Sequence, residues 1–180
     1  GTYTLTEYWI PRDGSYYAPD IREKFPAGSV EDALDTQKYI LAQKQNCYAQ
    51  AMEYGKVDTD AVIGQLLDVI TSSPASSSNP GDYIDAHLIE YRELTYYGDY
   101  TLKYVFSEFL KGGQTDLRGH IMRSIMDDLI GGEALGLEAD TGQEYFEAWR
   151  AHVEGVYAQN DATYMQEKCP KGWLLLKMIG

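Results

Sequence analysis

The chain has 180 residues, 44% of them hydrophobic, and its 28 acidic and 15 basic side chains give a net charge of −13. This length and composition predict a single folded domain and exclude a disordered polymer. The negative charge excludes attraction to phosphate backbones or to anionic lipid, so we expect no nucleic-acid partner.

The first part of the chain is predicted to hold a strand and a long helix. Residues 2–10 alternate Thr with larger apolar residues up to Pro11, a pattern typical of a short β-strand. Ser29 is a candidate N-cap for a helix that we expect to end at Gly55, because glycine is favoured directly after the last helical turn.

A polar segment follows the second predicted helix. Residues 59–71 place apolar side chains at helical spacing, and residues 72–80, "SSPASSSNP", are typical of an exposed loop. We therefore predict a single helical domain over residues 1–180, in which this loop separates an N-terminal helical lobe from a helical core over residues 80–159.

The remaining helices are separated by short loops. The predicted spans are 80–97, 99–111, 116–130 and 142–158. Because helices joined by such short loops are antiparallel neighbours, we expect a mainly α fold, an orthogonal or antiparallel bundle of about six helices. The helix pairs also allow a HEAT-like arrangement. The tail, "GWLLLKMIG", is either a strand that pairs with residues 2–10 or a last helical turn, and we expect the strand.

The stretch 111–115, "KGGQT", is either a phosphate-binding loop or a hinge between helices. A Walker A loop places Lys directly after its last glycine, whereas Lys111 precedes both glycines and follows a predicted helix. We therefore expect the hinge, with Thr115 as the cap of the next helix. An anion site at that helix N-terminus stays open as an alternative, because free amides, Arg118 and His120 would lie together there.

Gly119 lies inside the predicted helix 116–130. Glycine in a helix interior lowers stability by about 1 kcal/mol relative to alanine. We therefore expect another backbone or an arginine to pack closely against this position and to require it.

The three histidines, His87, His120 and His152, lie on predicted helices beside apolar positions. Their spacing is not that of HExxH, in which two histidines share one helix face, and the chain has no GxSxG motif. We therefore predict no catalytic residue, no metal and no cofactor. The alternative is a small metal-binding protein or hydrolase that uses His87, His120 and neighbouring acids.

The two cysteines, Cys47 and Cys169, are far apart in the sequence. This spacing is compatible with one structural disulfide in an exported domain and equally with two unrelated buried thiols. Neither cysteine has a second Cys or a His at the spacing of a metal site.

Tyrosine is abundant, with 16 Tyr against 4 Phe. The densest group could form a recognition groove or could be half-buried packing; it comprises Tyr83, Tyr91, Tyr96, Tyr97 and Tyr100. The candidate binding residues of the whole chain are Arg118, His120, Thr115, His87 and Tyr91.

Segment 79–132 carries the pattern "NPxDYIxAH…GDxTLKYxFxEFxKGGQTxLxGHIM". It resembles a helical module of exported Gram-positive proteins, the extracellular C-terminal part of penicillin-sensor-class membrane metallopeptidases. The likeness covers under a third of the chain, and neither the zinc motif nor the SxxK motif of that class is present, so no catalytic residue carries over.

The resemblance implies a location and a kind of function. It suggests an exported, extracellular domain tethered to a membrane protein, with a signal or anchor upstream of Gly1. Such a domain would sense an unknown small molecule or bind a protein. The longest apolar run is far short of the ~20 residues of a spanning helix, so we expect no direct membrane insertion of this segment.

Overall fold

The structure is a computed structural model of the protein. It describes residues 2–4, 24–26, 46, 49–55 and 57–180. The chain divides into two compact units, residues 1–65 and residues 66–180. The sequence-based organisation, a single domain with a separating loop over residues 72–80, stays a prediction.

The first unit contains a two-stranded antiparallel sheet. Strand β1 (Thr2–Thr4) pairs with β2 (Lys24–Pro26), and Tyr3 lies opposite Phe25 in the register. The predicted strand is confirmed over its first residues, and residues 5–10 lie outside the described residues. Toward the end of this unit, residues 49–53 are helical, within the helix that was predicted to end at Gly55.

From residue 59 onward the chain is built of helices, which confirms the prediction of a mainly α bundle. Their bounds are α1 (Thr59–Ser72), α2 (Pro80–Ala86), α3 (Leu88–Tyr96), α4 (Asp99–Lys111), α5 (Leu117–Ile130), α6 (Gly142–Ala158), α7 (Ala162–Lys168) and α8 (Pro170–Ile179), with a 3₁₀ turn at Gly131–Glu133. Among the described residues, no helix has the length and apolar character to cross a membrane.

Helix α5 is the central helix of the second unit, since α2, α3, α4 and α6 all pack against it. Its buried stripe includes Ile121, Met122, Ile125 and Met126. This four-residue pattern places apolar side chains on the faces that meet the neighbouring helices.

An aromatic layer joins α4 to α6. The ring of Phe106 stacks on that of Trp149 with centroids 5.4 Å apart, and Phe109 stacks on Phe146 at 5.0 Å. Stacked pairs of this kind add about 0.5–1.5 kcal/mol each beyond the apolar area that they bury. The layer therefore holds α6 in a fixed position, and α6 in turn carries part of the candidate site described below.

The helix predicted over residues 80–97 is two helices, which corrects the sequence-based span. The break lies at His87, whose φ of −135° and ψ of 46° are not helical. The His87 amide donates to the Ile84 carbonyl and ends α2, while the His87 carbonyl accepts from the Tyr91 amide and begins α3. The buried imidazole also lies 3.0 Å from the Ser73 hydroxyl, an interaction that fixes the chain at the break.

The expected C-terminal strand is wrong, because the tail forms helix α8. Pro170 occupies the first helical turn, where its missing N–H is not needed. The Glu133 carboxylate accepts hydrogen bonds from the amides of Lys171 and Gly172, both at 3.0 Å, and so caps the helix. This cap comes from 38 residues upstream of Lys171, and a local pattern cannot reveal it.

Candidate functional site

The turn between α4 and α5 is the predicted hinge. Helix α4 ends at Lys111, and Gly112 and Gly113 take φ values of +84° and +78°, which favour glycine. The Gln143 side chain accepts from the Gln114 amide at 3.2 Å, and the Gln114 carbonyl accepts from the Gln143 amide at 3.1 Å. The backbone groups of the turn at Gln114 are therefore bound to α6.

The residue that starts α5 differs from the expectation. The N-cap is Asp116, and its side chain makes no capping hydrogen bond. Thr115 instead directs its amide to the Gly113 carbonyl at 3.0 Å and its side chain is exposed. The backbone of Gln114 is held by its two hydrogen bonds to Gln143, and the chain enters the helix one residue later than the cap rules predict.

Arg118 and His120 do not form an anion site together. The Arg118 guanidinium donates to the Asp68 carboxylate and to the Tyr104 hydroxyl, each at 2.8 Å. The ring of His120 makes no hydrogen bond or ion pair with any residue that the structure describes. The Arg118 guanidinium is thus bound by neighbouring side chains.

His87 and Tyr91 lie in separate packing contacts. Besides Ser73, the His87 ring has Glu90 as a neighbour, with Nδ1 and Oε2 3.9 Å apart. The Tyr91 hydroxyl donates to Asp128 at 2.6 Å and lies 2.9 Å from the Ser124 hydroxyl. Burial, reinforced by the hydrogen bond to Asp128, raises the pKa of Tyr91 well above its ordinary value.

The tyrosine group is mainly packing. Tyr83, Tyr91 and Tyr97 are buried, whereas Tyr96 is 49% exposed. Their rings therefore do not line one continuous exposed groove. The half-buried packing interpretation of the sequence is the one that the structure favours.

No metal centre is visible in the described part of the chain. There, no group of three or more His, Cys, Asp and Glu side chains is placed to hold a metal ion. His87 and His120 accordingly do not share a ligand cluster within these residues. The alternative of a metal protein built on these two histidines receives no support from their placement.

The structure offers a different candidate site, a cavity of about 180 Å³ between α6, the α7–α8 junction and the 3₁₀ turn. We call it the α6–α8 cavity. Its apolar lining is Leu135, Trp149, Val153, Val156 and Met165, and its remaining lining is Gly132, Glu133, His152, Lys168 and Cys169. The side chains of Trp149, Val153 and Met165 are buried, while those of His152 and Lys168 are exposed, so the cavity has an apolar floor and a polar rim.

Sequence reasoning missed this cavity as a unit. His152 and Cys169 were noted one by one, but 17 positions separate them in the printed sequence, and Glu133 lies further upstream. The local signals were the Gly131-Gly132 pair, which marks a turn, and Pro170, which marks a helix start. Only the packing of α6 against α8 brings these segments together.

Glu133 organises the polar side of the cavity. Its carboxylate caps α8, and its backbone carbonyl accepts from the Trp149 indole at 3.0 Å. The helix dipole of α8 stabilises the carboxylate at this position. Glu133 therefore holds the 3₁₀ turn, the floor of the cavity and the start of α8 in one arrangement.

Cys169 is a poor nucleophile in this setting. Burial raises the pKa of its thiol, and the negative charge of Glu133 raises it further. A reactive cysteine needs the opposite shift, since the thiolate is the attacking species. Glu133 is also committed to the amides of α8, so Cys169, His152 and Glu133 do not form the relay of a cysteine hydrolase.

The predicted Cys47–Cys169 disulfide stays a prediction. Cys169 is partly exposed and forms no disulfide with a residue that the structure describes. Cys47 lies outside the described residues.

The rim carries a cation that no described neighbour neutralises. Lys168 is exposed and makes no ion pair or hydrogen bond with any residue in the described ranges. His152 is likewise exposed and has no such partner there. The arrangement can therefore bind a small molecule with an apolar body and a polar end.

Comparisons with known proteins bring no further assignment. No protein-family model, curated protein or solved structure matches the chain.

Proposed function

We propose that this chain is a non-enzymatic, extracytoplasmic sensing domain that binds a small ligand in the α6–α8 cavity and is tethered to a membrane protein. The observation that carries the proposal is the cavity itself, at about 180 Å³ with an apolar floor. An apolar cavity of about 150 Å³ in another protein is large enough to bind benzene.

The chemistry of the cavity supports binding rather than catalysis. The thiol of Cys169 is held protonated by burial and by Glu133, and the Glu133 carboxylate is occupied by two backbone amides. A general base or a nucleophile needs a side chain that is free to exchange a proton at the reacting atom. The extracytoplasmic location is supported by the resemblance of segment 79–132 to an exported module.

Ligand binding can be tested with Trp149 as the reporter. The chain has three tryptophans, so replacing Trp9 and Trp173 by Phe leaves only the indole that lines the cavity. We expect toluene to change the Trp149 fluorescence saturably and to raise the melting temperature. A Val156→Phe variant, which fills part of the cavity, should abolish both effects. Unchanged fluorescence and melting up to the solubility limit of toluene would refute the proposal.

The location can be tested separately with the full-length natural protein. We expect alkaline phosphatase fused after Gly180 to be active in a Gram-positive host, because this reporter folds only after export. A fusion that is produced but stays inactive would overturn the extracytoplasmic location and would leave the binding proposal to its own test.

A further inference from the structure

We infer that the α6–α8 cavity takes a small carboxylic acid with an apolar body, whose carboxylate is held by the ammonium group of Lys168 at the rim. This inference rests on the ligand-binding function proposed above and adds the chemical class of the ligand. Two observations support it: the floor of the cavity is apolar, and the rim carries hydrogen-bond donors.

The floor selects an apolar body. Trp149 and Met165 are fully buried and Val153 is 4% exposed, so the deep end of the cavity is formed by closely packed apolar side chains. The indole N–H is already bound to the Glu133 carbonyl at 3.0 Å, which leaves the ring without a free donor toward a ligand. Only dispersion and apolar burial act here, and both favour a ring or a branched alkyl group.

The rim selects a negative end. Apart from Glu133, the polar side chains of the lining can donate hydrogen bonds: the Lys168 ammonium, the protonated Cys169 thiol and one nitrogen of the His152 ring. The one acid in the lining, Glu133, accepts from the amides of Lys171 and Gly172, so its two carboxylate oxygens are held at the start of α8. An ionised carboxylate only accepts hydrogen bonds, so it matches this set of donors.

The net charge of the chain and the charge of the rim favour ligands of opposite sign. The chain carries a net charge of −13, and that charge by itself favours a cationic ligand over an anionic one. A preference for an anion can therefore arise only from the local groups of the rim. Selectivity among probes of equal shape separates the two effects.

Three probes with the same ring and nearly the same shape test the inference: phenylacetate, phenylacetamide and 2-phenylethylamine. We expect phenylacetate to bind about threefold to fivefold more tightly than phenylacetamide, the upper part of the range of exposed ion pairs, and 2-phenylethylamine to bind most weakly. Calorimetric titration or chemical-shift titration of the purified full chain gives the three dissociation constants.

Substitution of the rim lysine completes the test. Lys168→Met keeps an apolar stem that reaches as far as the lysine Cε and removes the ammonium group. We therefore expect the affinity for phenylacetate to fall about threefold to fivefold and the affinity for phenylacetamide to stay unchanged. Lys177→Met is the matched control, because Lys177 is also exposed and lies on α8 outside the cavity lining.

The outcomes distinguish the two proposals. Equal binding of amide and carboxylate, tightest binding of the amine, or an unaltered phenylacetate affinity in Lys168→Met overturns the carboxylate inference while a ligand-binding cavity remains. Absence of binding by all three probes, together with a negative toluene result, overturns both.

Discussion

The backbone of Gly119 on α5 lies directly against Gly142 at the start of α6. A Cβ atom added to Gly142 would stand 2.6 Å from the carbonyl carbon of Gly119 and 3.1 Å from its Cα. A Cβ on Gly119 would in turn stand 2.8 Å from the carbonyl carbon of Gln114. The close neighbour that the sequence led us to expect at Gly119 is therefore backbone on two sides, and α5 meets α6 at a contact that only glycine permits.

Replacing Gly142 by alanine should destabilise the protein by about 2–3 kcal/mol. The added methyl group would meet backbone atoms, which cannot rotate away as a flexible side chain can, so the two helices must separate. Chemical denaturation followed by circular dichroism measures the change in the free energy of unfolding.

Gly155→Ala is the control for that substitution. Gly155 lies on the same helix, and nothing stands within 4 Å of a Cβ at that position. Because alanine is a better helix former than glycine, we expect this variant to gain up to about 1 kcal/mol. Equal effects of the two substitutions would contradict a close contact at Gly142.

Gln143 should be essential for the hinge between α4 and α5. Its side chain is 8% exposed, it accepts from the Gln114 amide, and it donates to the Phe109 carbonyl at 2.9 Å. Gln143→Ala leaves both backbone groups without these partners, for which we expect a loss of about 2–3 kcal/mol. The exposed Gln166 on α7 supplies the matched control, since its replacement by alanine should change the free energy of unfolding by less than about 0.5 kcal/mol.

Hydrogen exchange makes the Gln143 prediction specific to the hinge. We expect the Gln114 amide to exchange faster in Gln143→Ala, because its hydrogen-bond acceptor is removed. A variant that loses stability while the Gln114 amide keeps its protection would show that Gln143 acts elsewhere.

The helices whose ends are set by local chemistry were predictable from the sequence. The predicted spans 99–111 and 142–158 agree with α4 and α6, and Thr141 caps α6 through the Glu144 amide as the capping box indicated. The signals that set these ends are apolar side chains at helical spacing and a cap that lies three residues from the amide it binds. Both are found within one short stretch of sequence. Such signals do not depend on the rest of the fold.

The elements that were mispredicted depend on distant partners. His87 interrupts a continuous helical pattern, and its ring contacts the Ser73 hydroxyl, fourteen positions away. The helix of the tail is capped by Glu133, which lies in the 3₁₀ turn that precedes α6. The apolar run "WLLLKMI" fits a strand and a helix equally, so only the tertiary contact decides between them.

The candidate site was not predictable for the same reason. Arg118, His87 and Tyr91 have side chains that suggest binding, but their partners lie on other elements and satisfy them. The α6–α8 cavity has no motif, since its lining comes from residues 132–135, 149–156 and 165–169. Periodicity identifies the buried face of each helix and does not show where two faces leave a space.

Two buried tyrosines should make the protein sensitive to alkali. Tyr91 donates to Asp128, and Tyr145 donates to Asp127; burial, with these hydrogen bonds, raises the pKa of both phenols well above the ordinary 10.0. Their contribution to stability is complete below the unfolded pKa, near 10, and is lost as the pH rises from there toward the folded pKa. In this range the unfolded chain has lost two phenol protons that the folded protein keeps. The free energy of unfolding therefore falls by about 2.7 kcal/mol per pH unit.

Unfolding measured between pH 8 and the alkaline limit, about 11.5, checks this slope. We expect the double variant Tyr91→Phe/Tyr145→Phe to be less stable near neutrality and to lose stability less steeply above pH ~10. Tyr54→Phe is the control, because this side chain is 72% exposed, and its slope should match that of the parent. A parent slope equal to that of the double variant would mean that the two phenols ionise in the folded protein.

The Cys169 thiol should respond to the charge of Glu133. In a Cys47→Ser background Cys169 is the one remaining cysteine, because the chain has two. We expect the rate of alkylation by iodoacetamide to rise with an apparent pKa above the ordinary value of about 8.5, because burial and then Glu133 disfavour the thiolate. Glu133→Gln removes the charge and leaves the burial, so the apparent pKa should fall without reaching the range of a catalytic cysteine.

Glu154→Gln controls for any general effect of losing an acid, since Glu154 is exposed on α6 and pairs with Arg150. Its alkylation profile should match that of the parent. Glu133→Gln should also lower the free energy of unfolding by about 1 kcal/mol, because the neutral amide replaces a charged cap of α8. If Cys169 alkylates with an apparent pKa below that of a free cysteine, the thiol is activated and becomes a candidate nucleophile in the α6–α8 cavity.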